Sequence, residues 1–199
     1  MKRCAALGVV VLTLLMGISA IARAQAQAPQ SAPQSSPAAP QAAPPVPPQA
    51  QAKDVDSVEH ILAAVYDVIS GPAGPRDWDR FHSLFFTGAR LIPSWRDDKG
   101  NIKSKDMTPD DYAKGAAAYF TKEGFFEVSI ANRVESWDHM AEVWSTYESR
   151  HAKGEQPFAR GVNSFQLFFD GTRWWIVTIY WEDETPGHSL PEKYLTESK

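Results

Sequence analysis

Cysteine is nearly absent from this sequence, with one residue, Cys4, among 199. Cys4 precedes an apolar run over residues 5–22, whereas a lipid-attachment cysteine would stand at the cleavage point of a leader. A chain cleaved after that run would hold no cysteine. Disulfide cross-links and thiol chemistry are therefore not expected in the remainder.

The N-terminus has the three parts of a secretory signal. Lys2 and Arg3 precede the apolar run, and Ala22-Arg23-Ala24 follows it with small residues where a signal peptidase cleaves. This pattern predicts a signal peptide over residues 1–24 and a periplasmic or secreted protein. The alternative is an uncleaved membrane anchor, because about 18 apolar residues are just enough to cross a bilayer.

Runs of basic residues are also missing. Removal of residues 1–24 takes away Lys2, Arg3 and Arg23, which changes the formal charge from −4 to −7. A chain this acidic is a poor partner for nucleic acid or for an anionic lipid surface. We therefore expect no nucleic-acid partner, and no membrane partner after cleavage of the signal.

Residues 25–52 contain neither charged nor aromatic side chains and consist of 8 Pro, 9 Ala, 7 Gln, 3 Ser and 1 Val. Such a composition cannot bury enough apolar surface to offset the entropy lost on ordering. The segment is predicted to be a disordered tether, and a proline-rich docking motif is the alternative. One folded domain is then expected over residues 53–199.

The first half of this domain predicts three helices. Apolar residues recur at three- and four-residue steps over 54–69, and Asp56 with Glu59 resembles a capping box. A short helix is predicted from Asp77 to about residue 86, followed by a short strand over 89–95 and an exposed polar loop over 96–107. Thr108 followed by Pro109 predicts the start of a third helix, which Gly124 is placed to end.

The second half alternates with a period of two, which is typical of strands. Four are predicted, over residues 125–137, 140–151, 161–169 and 174–181, with short connections that imply antiparallel neighbours. If the hairpin loop at 170–173 has an even number of residues, Asn163, Thr178 and Tyr180 lie on one face of the sheet. Gln166, Phe168, Val177, Ile179 and Trp181 would then lie on the other, which we expect to be covered by a second copy of the chain. The alternatives are cover by the C-terminal segment over residues 186–199, and an exchange of the two faces in which these residues form the core.

Three segments carry a family resemblance: Ser-Thr-Tyr-Glu-Ser-Arg at 145–150, Arg-Gly-Val-Asn-Ser-Phe-Gln-Leu at 160–167 and Gly-Thr-Arg-Trp-Trp-Ile-Val at 171–177. With the order of the elements, they resemble an uncharacterised, exported bacterial branch of the nuclear transport factor 2-like superfamily, which includes the SnoaL-like polyketide cyclases. The resemblance covers about residues 55–194. It implies an α+β fold, with three N-terminal helices on a long, curved, mostly antiparallel sheet that forms a cone-shaped pocket, and frequent homodimerisation through the sheet.

The superfamily includes enzymes, binding modules and assembly domains, so the fold alone does not imply a reaction. No catalytic set of the family can be placed on this sequence, and the catalytic residues stay unknown. Polar or aromatic groups near the expected concave face or its border are the candidate ligand-binding residues: Trp95, Tyr147, Asn163, Thr178 and Tyr180.

Metal and cofactor signatures are missing too. The five histidines form no H-x-x-x-H or H-E-x-x-H arrangement, and no glycine-rich phosphate loop or G-x-S-x-G is present. We expect no metal and no cofactor. The acidic run over residues 182–184 could bind calcium weakly, although a solvated strand end is the simpler interpretation.

Three functions remain open. The first is a small-molecule-binding module whose ligand is apolar or amphipathic, and the second is an assembly module whose cavity is filled by its own aromatic residues. The third is an acid–base isomerase, dehydratase or cyclase that uses a pocket Asp, His or Tyr, for which Asp67, His82 and Tyr147 are candidates. Asp67 and His82 could equally lie on solvated helix faces.

Overall fold

A computed structural model describes residues 48–196. The signal peptide predicted over 1–24 and nearly all of the tether lie outside the described residues, so these boundaries stay predictions. Within 48–196, no helix is both long and apolar enough to span a membrane. The described chain contains α1 (Val58–Ile69), α2 (Trp78–Ser83), β1 (Phe85–Arg96), β2 (Ile102–Ser104), α3 (Pro109–Lys122), β3 (Phe126–Trp137), β4 (Met140–Arg150), β5 (Ala159–Phe169) and β6 (Trp174–Asp183).

Each helix begins at a side-chain cap. Ser57 accepts a hydrogen bond from the His60 backbone N–H at 3.1 Å, so α1 begins after Ser57 and not at residue 54 as the sequence pattern predicted. Asp56 instead contacts the His60 ring, and Ala52–Asp54 forms a separate 3-10 turn. Thr108 and Asp111 form the capping box of α3 around Pro109, which confirms the helix start predicted there.

The six strands form one curved sheet in the order β2-β1-β6-β5-β4-β3. β1 runs parallel to β6, whereas every other neighbouring pair is antiparallel. The helices cover one face of this sheet, and together they form a cone. The predicted α+β class, with three helices on a long and mostly antiparallel sheet, is therefore confirmed.

The region between α2 and α3 differs from the prediction. β1 begins at Phe85, within the predicted helix, because the backbone there pairs with β6 through Ile176. The predicted exposed loop contains β2, which pairs back onto β1. Asp97 closes this hairpin by accepting hydrogen bonds from the backbone N–H groups of Lys99 and Asn101.

A bulge in β6 corrects the predicted faces of the hairpin. Gln166 pairs with Thr178 but Leu167 pairs with Ile176, so Val177 is the extra residue. One extra residue reverses the direction of every side chain that follows. Ile179 and Trp181 therefore face the helices, while Thr178 and Tyr180 lie on the outer face of the sheet.

The outer face is covered in part by the chain's own C-terminal segment. A 3-10 turn at Glu192–Tyr194 places the Tyr194 carbonyl where the buried Thr146 hydroxyl donates to it. The rings of Tyr194 and Trp144 lie 5.3 Å apart. At the opposite end of this face, Phe86 and Met140 remain exposed at 41% and 59%.

Candidate functional site

The wide end of the cone contains a cavity of about 200 Å³ that opens to solvent. It lies between the inner face of the sheet and the helices α1 and α3. Apolar side chains form most of its wall. Its polar groups come from the ends of β3, β4, β5 and β6 and from the helices α1 and α3: Tyr66, Tyr112, Glu127, Tyr147, Ser149, Asn163 and Asp183.

Glu127 is a carboxyl group of the cavity whose pKa is raised by this environment. Its backbone N–H donates to the Ser70 hydroxyl at 3.0 Å, which fixes the start of β3 to the end of α1. Its carboxylate accepts a hydrogen bond from the Ser149 hydroxyl at 2.8 Å, across the β3–β4 pair. Desolvation raises the pKa of Glu127 to about 7, and the nearby Asp183 adds to the increase, while Ser149 opposes it.

A second acidic group lies at the mouth of the cavity. The Tyr147 hydroxyl donates a hydrogen bond to the carboxylate of Asp183, which joins β4 to the end of β6. Burial raises the pKa of Tyr147, and the negative charge of Asp183 raises it further. Tyr147 therefore stays protonated and can act only as a hydrogen-bond donor or as an acceptor through its lone pairs.

Gly161 makes room for this pair. A methyl group at its α-carbon would lie 2.4 Å from the Tyr147 hydroxyl oxygen and 2.5 Å from the Glu182 carbonyl oxygen. Both distances are shorter than any tolerated contact, so a side chain at position 161 would displace the tyrosine ring. The glycine is required for close approach rather than for a turn.

Deeper in the cavity, three buried polar groups satisfy one another. The Tyr66 hydroxyl and the Ser145 hydroxyl are 2.7 Å apart, and the Asn163 amide donates to the Tyr66 oxygen at 3.0 Å. These hydrogen bonds link α1, β4 and β5 below the carboxylates. The second amide N–H and the carbonyl oxygen of Asn163 remain available for hydrogen bonds to a molecule in the cavity.

Aromatic rings form the rest of the wall. Tyr112 from α3 and Trp181 from β6 meet at an interplanar angle of 82°, and Tyr112 stacks on Phe81 with centroids 5.4 Å apart. Phe158, which is 49% exposed, lies at the mouth beside Phe125. The Tyr112 hydroxyl makes no hydrogen bond to any residue within 48–196, so a ligand could supply its partner.

The five predicted ligand-binding residues do not all meet at this site. Tyr147 and Asn163 line the cavity. Thr178 and Tyr180 lie on the outer face because of the bulge at Val177, so the expectation that they share the concave face was wrong. Trp95 is 42% exposed near the end of β1, where it pairs with Lys103, and it does not line the cavity.

Of the acid–base candidates, only Tyr147 lines the cavity. Asp67 is exposed and forms an ion pair with Arg80 at 2.6 Å. The His82 Nδ1 lies 2.6 Å from the Trp78 carbonyl oxygen, and its Nε2 lies 3.9 Å from Asp110. Neither side chain reaches the cavity, so the two helices do not bring the three candidates together.

Sequence reasoning missed Glu127, Ser149 and Asp183. Glu127 interrupts an apolar stretch, Phe125-Phe126-Glu127-Val128, and that placement was the available signal. The sequence pattern predicted a solvated strand end over residues 182–184. Glu182 and Glu184 form hydrogen bonds with Ser94 and Arg160, whereas Asp183 is the one of the three that lines the cavity. No group of three or more potential metal ligands occurs among residues 48–196.

Comparisons with known proteins identify the fold of this chain but not its function. No protein-family model matches the chain, and no curated protein matches it significantly. A protein of unknown function with a cystatin-like fold from Nostoc punctiforme is 12% identical, with a TM-score of 0.50 over 68% of this chain and 92% of that one. At this identity the likeness shows the fold alone.

Two further solved structures match this chain with lower TM-scores. A nuclear transport factor 2-like protein of unknown function from Methylobacillus flagellatus is 13% identical, with a TM-score of 0.41 over 65% of this chain and 95% of that one. A protein provisionally named a ketosteroid isomerase, from Parabacteroides distasonis, is 10% identical, with a TM-score of 0.44 over 66% and 91%. The likeness that reaches a TM-score of 0.50 shows an α+β fold of the cystatin-like kind for this chain. The nuclear transport factor 2-like superfamily stays a resemblance of its sequence motifs.

Proposed function

We propose that this chain is an exported small-molecule-binding protein whose cone-shaped cavity takes a small amphipathic ligand. The observation that carries the proposal is the open cavity at the wide end, where Glu127, Asp183 and the Tyr112 hydroxyl face the space left by the protein's own side chains. An assembly module with a self-filled cavity would need none of this space. Binding sites have this composition, in which a few polar groups are set in an apolar wall.

The cavity volume limits the size of the ligand. About 200 Å³ corresponds to roughly seven water molecules at about 30 Å³ each. Sites for drug-sized molecules are larger, at about 300–1,000 Å³. A ligand with one ring or a short branched chain fits inside, and anything longer would extend through the mouth past Phe158.

Blocking the cavity tests this function. Ala159 lines the cavity, and Ala159→Phe should fill it, whereas Ala118→Phe makes the same change on the exposed surface of α3. We expect fragments detected by ligand-observed NMR to bind wild type and Ala118→Phe but not Ala159→Phe. Equal binding to all three proteins would place the fragments elsewhere and contradict the proposal.

A second candidate function is acid–base catalysis, which the Glu127 carboxyl favours. A carboxyl group with a pKa of about 7 can both accept and release a proton near neutral pH. The Tyr112 hydroxyl lines the same cavity, makes no hydrogen bond to the described residues, and could donate one to a developing negative charge. The reaction class would be removal and return of a proton at carbon, as in an isomerase, dehydratase or cyclase.

Proton exchange at carbon tests this second function. Small ketones such as cyclohexanone should exchange their α-hydrogens for deuterium faster with wild type than with Glu127→Gln. Glu135→Gln is the matched control, because Glu135 is exposed on the same strand. Exchange that is equally fast with Glu127→Gln would rule out Glu127 as the base.

Export and dimerisation complete the proposal. The signal pattern supports a mature N-terminus at or near Gln25, which mass spectrometry of protein from a secreting host would test; an intact Met1 in the membrane fraction would support the anchor instead.

For the partner we propose a second copy that packs on the exposed part of the outer face, around Phe86, Met140 and Tyr180. A monomer at micromolar concentration in sedimentation would contradict this partner.

A further inference from the structure

We infer that the cavity recognises a positively charged ligand, namely a small ammonium compound with apolar groups on its nitrogen. The inference rests on the proposed function, because it specifies the ligand of the same cavity. It is carried by two features together: an uncompensated pair of carboxylates and a wall of aromatic rings.

The charges of the cavity have one sign. Glu127 and Asp183 line it, and none of the described residues that line it is Lys, Arg or His. The two carboxylates are held by neutral hydroxyls, from Ser149 and Tyr147 respectively. Neither forms an ion pair with a basic residue within 48–196, so their negative charge is available to a bound cation.

An anionic ligand is disfavoured for the same reason. A carboxylate or phosphate in this cavity would face two like charges and find no basic partner, and both effects are costly where water is partly excluded. A bare metal ion is disfavoured as well, because the described residues contain no cluster of three or more ligating side chains. A large, weakly hydrated organic cation has neither difficulty.

The aromatic wall suits such a cation. Eight of the residues that line the cavity are aromatic, among them Tyr112, Phe158 and Trp181. The face of an aromatic ring carries negative charge density and attracts ammonium groups, most strongly when the ring is Trp or Tyr. Tyr112 and Trp181 supply two nearly perpendicular ring planes on one side of the cavity.

The size of the cavity agrees with this ligand class. A trimethylammonium group occupies part of the roughly 200 Å³ and leaves room for a short polar arm. The Tyr112 hydroxyl, which has no partner among residues 48–196, and the Asn163 amide could bind that arm. The ligand class is thus a small amphipathic cation, with its charge near the carboxylates and its methyl groups against the rings.

The test compares choline with 3,3-dimethylbutan-1-ol, which has the same shape but carries carbon in place of nitrogen. Binding of each to the full mature chain is measured by calorimetry at pH 8.5, where Glu127 is ionised. We expect choline to bind at least about tenfold more tightly than the neutral alcohol. Glu127→Gln and Asp183→Asn should each weaken choline binding several-fold without changing the binding of the alcohol, and Glu135→Gln should change neither.

The other outcomes are distinguishable. Equal affinity for the two probes, or tighter binding of the alcohol, would overturn the cation inference and leave the small-molecule function intact. Failure of both probes to bind would also overturn it, and the comparison of Ala159→Phe with Ala118→Phe would still decide the proposed function. Choline binding that is unaffected by both variants and abolished by 0.5 M salt would reflect general attraction to an acidic surface, which also contradicts the inference.

Discussion

The two ends of the cone differ in composition although the same strands form both. At the narrow end, the side chains of Leu84, Phe85, Val143 and Ile176 are at most 2% exposed and no titratable group is present among them. At the wide end, the inner face carries carboxylates and hydroxyls. Along β4 the inward-facing residues change in order from Ala141 and Val143 to Ser145, Tyr147 and Ser149.

β5 and β6 show the same gradient. Leu167 and Phe165 give way to Asn163 in β5, and Ile176 and Ile179 give way to Asp183 in β6. Each strand therefore supplies apolar packing at one end and polar groups at the other. Apolar packing at the narrow end therefore stabilises the fold. The wide end holds the polar groups of the site, whose desolvation opposes folding.

The largest expected effect distinguishes the two ends with one chemical change. Phe85→Ala at the narrow end should lower the free energy of unfolding by about 3–5 kcal/mol, because it leaves a cavity against Phe81. Phe158→Ala at the wide end should cost less than about 1 kcal/mol, since half of that ring is exposed. Denaturant titrations measure both, and similar losses would show that the core extends to the mouth.

The second effect concerns the pH dependence of stability. A carboxyl whose pKa is raised on folding, as for Glu127 from 4.5 to about 7, favours the folded state below pH 4.5 and loses that contribution as the pH rises through about 7. Glu127→Gln should therefore match wild type at pH 4.5 and exceed it at pH 8 by at most about 3 kcal/mol.

Urea unfolding at several pH values measures this difference. Glu135→Gln is again the control, and its difference from wild type should not change across the same range because Glu135 is exposed. A Glu127→Gln variant that is less stable than wild type at pH 8 would contradict the account, since it would mean that the carboxylate is stabilised by the fold.

A smaller effect is expected from Gly161→Ala. The added methyl group would meet the Tyr147 hydroxyl and the Glu182 backbone, so the variant should lose about 1–3 kcal/mol and part of its ligand affinity. Gly115→Ala in α3 is the matched control, because its methyl group meets nothing within 4 Å and should stabilise the chain by about 0.5–1 kcal/mol. Equal stability of the two variants would show that Tyr147 can move without cost.

Much of the fold could be predicted from local signals. The capping box at Thr108, the alternation over the four long strands and the Asp170-Gly171 turn each act within a few residues, and all appear in the structure. The extra residue at Val177 could not be predicted, because a bulge depends on pairing between strands. That single residue turned Thr178 and Tyr180 away from the expected face.

The site was harder to predict for the same reason. Glu127 and Ser149 are 22 positions apart and meet only through the β3–β4 register, and Tyr147 reaches Asp183 through the order β4-β5-β6. Asp67 and His82 have side chains suited to acid–base catalysis, but the helices turn them away from the cavity. Types of side chain are visible in a sequence, whereas the contacts that shift a pKa depend on strand pairing.

The most direct test of the account is an NMR titration of Glu127 in protein labelled with ¹³C at the glutamate carboxyls, with Glu127→Gln to assign the signal. The account predicts a midpoint near pH 7, because the carboxyl is desolvated at the wide end of the cone. It also predicts that a bound ammonium ligand lowers this midpoint. A midpoint near 4.5 would show a solvated carboxyl and contradict the central claim that the wide end is a built binding site.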